Sequence, residues 1–477
     1  MKKFSKLAAI LAVCAFIFGG LLVSCSPHGT GYGLDDVQPS GGGSGGSGGG
    51  SGNPGDGGGS GGGGNPGGGD AGGGGGAPVA VTGITLNQTS ATIGTGETLS
   101  LTYTITPENA TDKSVSWISS APDVAAVSSE GVVSALSAGS ATITVTANGG
   151  TGIAATCNVT VPNYMIMPLT LEAITAGSIC VFNPQNGMKY TLNGGEKTAL
   201  LGTGSQNKAE ISVQVGDKVS FYGSGTTITK YSDAYGNRTS ISGGTAECKV
   251  YGNIMSLVDE LGFATATQVN QEAFCELFRH YGKLIDAGNL ILPATTLGNS
   301  CYMKMFQNCS KLTKAPALPA TALADMCYSG MFNECLALKS APALPATALA
   351  DRCYMGMFER CLALESAPAL PATALADRCY MGMFLGCAAL EIAPVLSATT
   401  LVTGCYTSMF TMCSKLKSVT CLATTNIEHG NISQWLGDAG IEVTGTKTFY
   451  KASGVTAWTE EVGSDLAGWT ITDYVAP

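Results

Sequence analysis

Between residues 300 and 421 the apolar positions recur with a period of 26 residues. Each copy has a Cys, then Tyr-x-x-Met-Phe, a second Cys eight residues after the first, and Leu-x-x-Ala-Pro-x-Leu. In the central copy the first of these residues are Cys353, Tyr354, Met357, Phe358 and Cys361. A fixed period of this length is typical of repeats that stack side by side and bury their apolar faces against their neighbours. The pattern predicts a solenoid over residues 256–421.

Each unit divides into a predicted helix and a predicted strand. A good N-cap residue stands two positions before the first cysteine, which indicates a short helix or 3-10 turn through the aromatic half. Prolines in the second half, as in residues 338–345, exclude a helix interior and favour one short parallel strand per turn. The N-cap residues are Asn299, Asp325, Asp351, Asp377 and Thr403.

Both ends of the predicted solenoid differ from the central copies. Phe278, Tyr281 and Leu284 form a degenerate first copy, as expected of a capping repeat. Residues 422–477 lose the period and are predicted to form a C-terminal cap, with three tryptophans available to cover the open end of the core.

Strict alternation of apolar and polar residues predicts strands upstream of the repeats. It is clear in residues 99–105 and 141–145, between turns at Gly94, Pro107 and Gly139, and predicts an antiparallel β-sandwich over residues 78–163. Residues 164–255 carry similar strand signals, such as 211–215 before a Gly-Asp turn, and predict a second small β-sandwich domain.

The N-terminus has the pattern of a targeting segment. Lys2, Lys3 and Lys6 precede an apolar run, which predicts a signal peptide over residues 1–24. Residues 22–25, Leu-Val-Ser-Cys, resemble the lipobox of bacterial lipoproteins; the resemblance implies cleavage before Cys25 and lipid attachment to its thiol. A plain secretory peptide and a short membrane anchor are the alternatives. The following Gly/Ser-rich stretch makes residues 25–77 a predicted flexible tether.

Composition narrows the functional classes. A net charge of −10 argues against nucleic acid as a partner, because nucleic-acid binding needs a basic surface. The chain has three histidines and no Cys-x-x-Cys, so neither a metal site nor a cofactor is expected. It also lacks a nucleophile elbow and a phosphate-binding glycine loop, so an enzyme is not expected.

Ten of the 17 cysteines form two columns of one residue per unit. Neighbouring units of a solenoid bring column mates within disulfide range, so pairing along a column stays open. An odd number per column leaves one unpaired, and we favour buried thiols that act as small hydrophobic side chains. The columns are Cys301, Cys327, Cys353, Cys379 and Cys405, and Cys309, Cys335, Cys361, Cys387 and Cys413.

Positions that vary between otherwise similar copies are the candidates for partner recognition. Two such columns make up the predicted binding face: one is Thr313, Lys339, Glu365 and Glu391, and the other is Asn308, Glu334, Arg360, Gly386 and Met412. A second candidate is a sugar-stacking patch in the middle domain, for which ordinary surface tyrosines are the alternative. It comprises Tyr222, Tyr231 and Tyr235 with Asp233 and Asn237.

Two parts of the chain resemble known families. Residues 81–86, 115–117, 124–127 and 139–145 resemble, in order and spacing, the bacterial Ig-like domain of group 2, which implies a non-catalytic spacer or adhesive module. Phe358-x-x-Cys361-x-x-Leu364, followed by Pro371, resembles the leucine-rich repeats of BspA-like bacterial surface proteins. That resemblance implies an adhesin-like role.

The sequence therefore predicts a multidomain chain: an all-β Ig-like sandwich, a second small β domain, and a leucine-rich-repeat solenoid with a C-terminal cap. The expected function is that of a non-enzymatic lipoprotein, anchored by its N-terminal lipid in the bacterial outer membrane and exposed at the cell surface, with a periplasmic-facing location as the alternative. Its repeat face is expected to bind a protein or cell-surface partner. A glycan-binding accessory lipoprotein and a structural envelope stalk are the alternatives.

Overall fold

The computed structural model describes residues 77–223, 238–458 and 464–476. The predicted signal peptide, Cys25 and almost all of the predicted tether lie outside the described residues, as do Tyr231, Tyr235, Asp233 and Asn237.

The first folded region is a β-sandwich whose inward-facing residues form two adjoining apolar clusters. Its sheets have the strand orders β2-β9-β8-β5, β3-β7-β6 and β1-β4. Ile143 on β8 and Val159 on β9 are fully buried between them, as the period-2 pattern requires. The strands are β1 (Gly83–Leu86), β2 (Ser90–Thr92), β3 (Thr98–Ser100), β4 (Tyr103–Thr106), β5 (Val115–Ser119), β6 (Ala125–Val127), β7 (Val132–Ala135), β8 (Gly139–Ala147) and β9 (Ala154–Val161).

The middle region contains a large and a small sheet. The large sheet has the order β13-β12-β15-β10-β17-β18 and the small one β14-β11-β16. Short 3-10 helices occur at Tyr164–Ile166, Ile254–Leu257 and Phe263–Thr265. The strands are β10 (Thr170–Ala173), β11 (Gly177–Phe182), β12 (Lys189–Leu192), β13 (Thr198–Ala199), β14 (Lys208–Val213), β15 (Lys218–Tyr222), β16 (Ser240–Ile241), β17 (Cys248–Asn253) and β18 (Leu284–Ile291).

One strand pair joins the middle region to the region that follows. β17 and β18 pair in parallel across the predicted domain boundary at 255/256. The buried side chains on both sides form a single apolar cluster, which runs from Leu169 to Trp469. The middle region therefore covers the first end of the downstream core.

Residues 272–416, which we call the ring stack, are held together by two files of aromatic rings. Neighbouring rings in each file have centroids 5.4–6.2 Å apart and nearly parallel planes. One file is Phe274, Tyr302, Tyr328, Tyr354, Tyr380 and Tyr406; the other is Phe278, Phe306, Phe332, Phe358, Phe384 and Phe410.

The aromatic half of each unit is a run of turns, and the predicted helix is wrong. Backbone donors alternate in direction: the N–H of Tyr302 donates to the carbonyl of Cys327 in the next unit, at 2.9 Å, whereas the N–H of Met305 donates to Tyr302 in its own turn, at 3.2 Å. Ser300 and Lys304 have φ of +56° and +54°, which an α-helix excludes. The same positive φ occurs at Gly330, Gly356 and Gly382.

The predicted fold class, a leucine-rich-repeat solenoid with a helix and a strand in each turn, is therefore wrong. Within the described residues the α-helical segment is α1 (His429–Ile432), which lies beyond the ring stack. The proline-rich halves meet mainly through single bridges, such as Ser340 with Ser366, because proline supplies no ladder donor. The predicted N-cap residues also have another role: the carboxylate of Asp351 accepts a hydrogen bond from the backbone N–H of Asp377, in the next unit, at 3.2 Å.

The end of the chain covers the last ring. Trp435 is fully buried, stacks on Tyr406 with centroids 6.4 Å apart, and is covered in turn by Trp458 at 5.5 Å. A parallel sheet in the order β19-β20-β21 and a 3-10 helix, Ser464–Leu466, complete this end. The strands are β19 (Ser418–Cys421), β20 (Lys447–Lys451) and β21 (Trp469–Asp473).

The first sandwich contacts the side of the ring stack. The carboxylate of Glu97 accepts from Lys314 Nζ at 3.2 Å. Gly94 lies so close to Asn289 that a Cβ on this glycine would be 2.3 Å from the Asn289 amide nitrogen. A side chain at position 94 would therefore clash with Asn289, so this contact requires glycine there.

Candidate binding face

The turns bring the recognition column that begins at Asn308 together at one outer edge of the ring stack. Asn308, Glu334, Arg360 and Met412 all have φ between +59° and +61°. The N–H of Asn308 donates to Asn333 O and that of Glu334 to Glu359 O, at 2.7 and 2.8 Å, so column mates lie one unit apart. Arg360 Nη1 donates to Glu334 Oε1 at 2.7 Å.

The recognition column that begins at Thr313 forms a parallel series of ion pairs. Lys339 Nζ lies 3.1 Å from Glu365 Oε1, and Lys417 Nζ lies 2.6 Å from Glu391 Oε2. Backbone bonds set the register, since the N–H of Glu365 donates to Lys339 O at 2.9 Å. At the first unit Thr313 Oγ1 donates to Ile285 O at 2.9 Å. Sequence reasoning missed Lys417, although it continues the 26-residue spacing from Glu391.

Two exposed leucines, each placed in sequence between the two recognition-column residues of its unit, were also missed. Leu336 and Leu362 are 41% and 48% exposed, and they directly follow Cys335 and Cys361 in the sequence. Ala388 takes the same position in the next unit and is half-buried. The signal that could have found them is a leucine at a position where the flanking units have Ser310 and Ser414.

The ion pairs give this edge its pattern of charge and little of its stability. Side chains of Lys339 and Glu365 are 71% and 63% exposed. Exposed pairs of this kind contribute about 0.2–1 kcal/mol each. The charges are therefore available to a partner at little cost to the fold.

Beside this edge is a carboxyl group with an unusual environment. Burial raises the pKa of Glu359 to about 7, although Arg360 acts in the opposite direction. Burial, and next the nearby Arg279, lower the pKa of Lys304. Glu359 occupies the position that Asn333 has one unit earlier, so sequence reasoning gave it no special weight.

A surface cavity of about 320 Å³ adjoins the C-terminal end of the recognition column that begins at Thr313. It is lined by Glu391, Lys415, Lys417 and Glu442 together with the loop at residues 443–446. Two lysines and two glutamates give it a balanced charge.

All ten column cysteines are buried and unpaired in the structure. In the cysteine column that begins at Cys309, each thiol donates a hydrogen bond to the backbone carbonyl of a phenylalanine in the preceding unit. The distance from Cys361 Sγ to Phe332 O is 3.1 Å. The same bond is made by Cys309, Cys335, Cys387 and Cys413 at 3.1–3.2 Å.

These thiols are placed in an environment that suppresses their reactivity. Burial raises the pKa of Cys327, Cys379 and Cys413 to about 12. Because the thiolate is the reactive form, protonated and enclosed thiols are poor nucleophiles and poor metal ligands. Among the described residues no group of three or more potential metal ligands is found.

The described part of the sugar-patch prediction is Tyr222 on β15. Lys197 Nζ lies 4.3 Å from the centroid of the Tyr222 ring, so a cation covers one face of this ring. Glu260 Oε1 accepts a hydrogen bond from Lys197 Nζ at 2.6 Å, and Glu260 Oε2 accepts one from Lys189 Nζ at 2.9 Å. In the residues that the structure covers, no helix is long and apolar enough to cross a membrane.

Comparisons with known proteins concern part of the chain. The family model of the bacterial Ig-like domain (group 2) matches residues 80–159. An uncharacterized protein of Clostridium acetobutylicum is 45% identical over 80 residues, 17% of this chain and 20% of the relative. An Ig-like virion protein of Serratia phage KSP90 is 43% identical over 88 residues, 18% of this chain and 33% of the relative.

An alpha-L-arabinofuranosidase of Bifidobacterium longum subsp. longum is 28% identical over 162 residues, 34% of this chain and 14% of the enzyme. The chain thus spans a third or less of the length of these relatives. The family match and the β-sandwich described above confirm the Ig-like part of the sequence prediction. Residues 80–159 form a bacterial Ig-like domain of group 2.

Proposed function

We propose that this chain is a non-enzymatic, lipid-anchored surface protein that binds a protein or cell-surface partner through one edge of the ring stack. The observation that carries the proposal is the pair of columns described above. Lys339 and Glu365 on one side and Glu334 and Arg360 on the other expose charges at one-unit intervals, outside a core that is fully buried. Such an edge can recognise a partner without any rearrangement of the fold.

The order of the domains supports the same proposal. The Ig-like domain precedes the ring stack, and modules of this kind serve as spacers in surface proteins. The predicted lipidation of Cys25 and the predicted Gly/Ser-rich tether would attach the chain to the outer membrane and hold the stack away from it. The buried thiols support a binding role over a catalytic one.

Binding is tested with beads that carry the purified chain and with immobilised matrix proteins and intact bacterial and epithelial cells. The beads are expected to attach to a target saturably. The affinity of this attachment is expected to fall at least about tenfold in the double variant Arg360→Glu with Lys339→Glu. The matched control is Lys113→Glu, an exposed lysine of the Ig-like domain. Equal losses for control and edge variant, or no attachment to any target, would contradict the proposal.

Anchoring and location are tested separately in the native host. The wild-type chain is expected to incorporate radiolabelled palmitate, and Cys25→Ser is expected to abolish the label. Protease treatment of whole cells should then remove the ring stack from the surface. Labelling that survives in Cys25→Ser would refute lipidation at this thiol, and full protection from protease would refute surface exposure.

A glycan-binding role is the second candidate, favoured by the likeness to a relative named an arabinofuranosidase. Pull-down of the full chain on insoluble polysaccharides, with and without Tyr222→Ala, tests it. Retention that depends on Tyr222 supports glycan binding through the middle region, and passage through every polysaccharide rejects it.

A further inference from the structure

The strongest unassigned feature is the apolar strip between the two charged columns. Leu336 and Leu362 are 41% and 48% exposed and lie one unit apart. Single exposed leucines are ordinary, but two that repeat on one edge and are bordered by charges have the composition of a small interface, apolar at its centre with a polar rim. We propose that this strip binds a second copy of the chain.

The distribution of charge around the leucines identifies the occupant. In the unit of Leu336, Glu334 precedes the leucine and Lys339 follows it. In the next unit the signs are reversed, since Arg360 precedes Leu362 and Glu365 follows it. Along the stack, Arg360 pairs with Glu334 and Lys339 pairs with Glu365. Within each unit the two charges on either side of the leucine in sequence are also opposite, so the four charges have the pattern of a square with opposite signs at neighbouring corners.

A square of this kind is complementary to itself. When two copies face each other about a two-fold axis that runs along the stack, Glu334 of one copy faces Lys339 of the other, and Arg360 faces Glu365. When the axis runs across the stack, Glu334 faces Arg360 and Lys339 faces Glu365. No like charges meet in either arrangement, and self-complementarity is the requirement that a two-fold symmetric interface imposes on a surface.

The size of the strip sets the expected strength. Two half-exposed leucines and four charges cover less area than the roughly 1,200 Å² that a stable complex buries. The dimer is therefore expected to be weak, with a dissociation constant roughly in the micromolar range. Anchoring at a shared membrane surface, as in the proposed function, would raise the local concentration of copies and favour their association.

The test measures the mass of the purified full chain, expressed without lipid, by sedimentation equilibrium up to about 0.5 mM, a concentration that reveals micromolar binding. Wild type is expected to dimerise. Leu336→Lys combined with Leu362→Lys is expected to weaken association at least about tenfold. The matched control is Leu261→Lys, because Leu261 is 91% exposed but lies in the middle region, away from the strip.

Charge complementation identifies the interface itself. An acidic variant, Lys339→Glu with Arg360→Glu, and a basic variant, Glu334→Lys with Glu365→Lys, are each expected to be monomeric, because all four charges then have one sign. Mixed in equal amounts, the two should form a heterodimer.

A monomeric wild type, an effect of Leu261→Lys as large as that of the strip variants, or a mixture that stays monomeric overturns the proposal. Because this test contains no other ligand, its failure leaves the attachment experiment above to decide the proposed function independently.

Discussion

A glycine in the middle of the repeat gives the sharpest test of the turn structure. Gly382 has φ of +61°, and a Cβ added there would meet no atom within 4 Å. Gly382→Ala therefore perturbs the backbone alone. A left-handed conformation costs a residue with a Cβ about 1–2 kcal/mol, so the substitution should destabilise the ring stack by that amount. In a helix the same substitution would stabilise by about 0.5–1 kcal/mol.

The measurement is the rate at which a thiol reagent labels Cys379 and Cys387 in the native protein, resolved by peptide mass spectrometry. Both thiols are fully buried, so labelling reports opening of this unit. A loss of 1–2 kcal/mol should speed labelling by about 5–30-fold. Gly382→Asn is the control and should have a smaller effect, because Asn tolerates the left-handed region better than Ala. Ser408 occupies the same position at φ of +53°, which indicates that the fold survives a side chain there. Slower labelling of Gly382→Ala would refute the turn structure and favour a helix.

Further outcomes are expected elsewhere in the core. Tyr328→Phe should leave stability unchanged or raise it, because its buried hydroxyl has no partner among the described residues, whereas Tyr281→Phe should cost about 1 kcal/mol because Tyr281 donates to Cys248 Sγ at 3.2 Å; reversed effects in chemical denaturation would contradict this. Burial raises the pKa of Glu359 from 4.5 to about 7. Between these two pH values the Glu359 carboxyl is therefore more protonated in the folded chain than in the unfolded chain. Stability should therefore fall as pH rises from about 4.5 to 7, and Glu359→Gln should flatten this part of the stability–pH curve; an unchanged slope would be evidence against it. Ellman's reagent should leave the fifteen described cysteines unmodified in native protein and modify them after denaturation, and fast native reaction would show that these thiols are accessible.

The sequence was sufficient where side-chain periodicity alone determines the structure. Alternation in residues 141–145 predicted β8, whose Ala141, Ile143 and Val145 point inward. The Ig-like domain could be predicted because period-2 patterning and turn residues agree in segments such as residues 139–145. No signal of this kind was available for the pairing of β17 with β18, since long-range parallel pairing leaves no local pattern.

In the repeat, the same local reasoning failed for a physical reason. Tyr354, Met357, Phe358 and Cys361 have helix-like spacing, and an Asp at the N-cap position strengthened that interpretation. Inward residues of alternating turns also recur at four-residue intervals, so the two structures share one apolar pattern. Gly356 was the distinguishing residue, because a glycine recurring inside a predicted helix indicates a positive φ that a helix excludes.

The turn structure also explains how one edge can vary while the core does not. Inward rings such as Phe358 contact the rings of both neighbouring units, and removal of a buried ring costs about 3–5 kcal/mol. Outward positions such as Arg360 carry a positive φ and an exposed side chain whose ion pair contributes at most about 1 kcal/mol. Because these two kinds of position alternate along the same turns, charges can be exchanged on the outer edge without disturbing the stacked rings. Recognition, by another protein or by a second copy of the chain, can therefore be set by the two outer columns independently of stability.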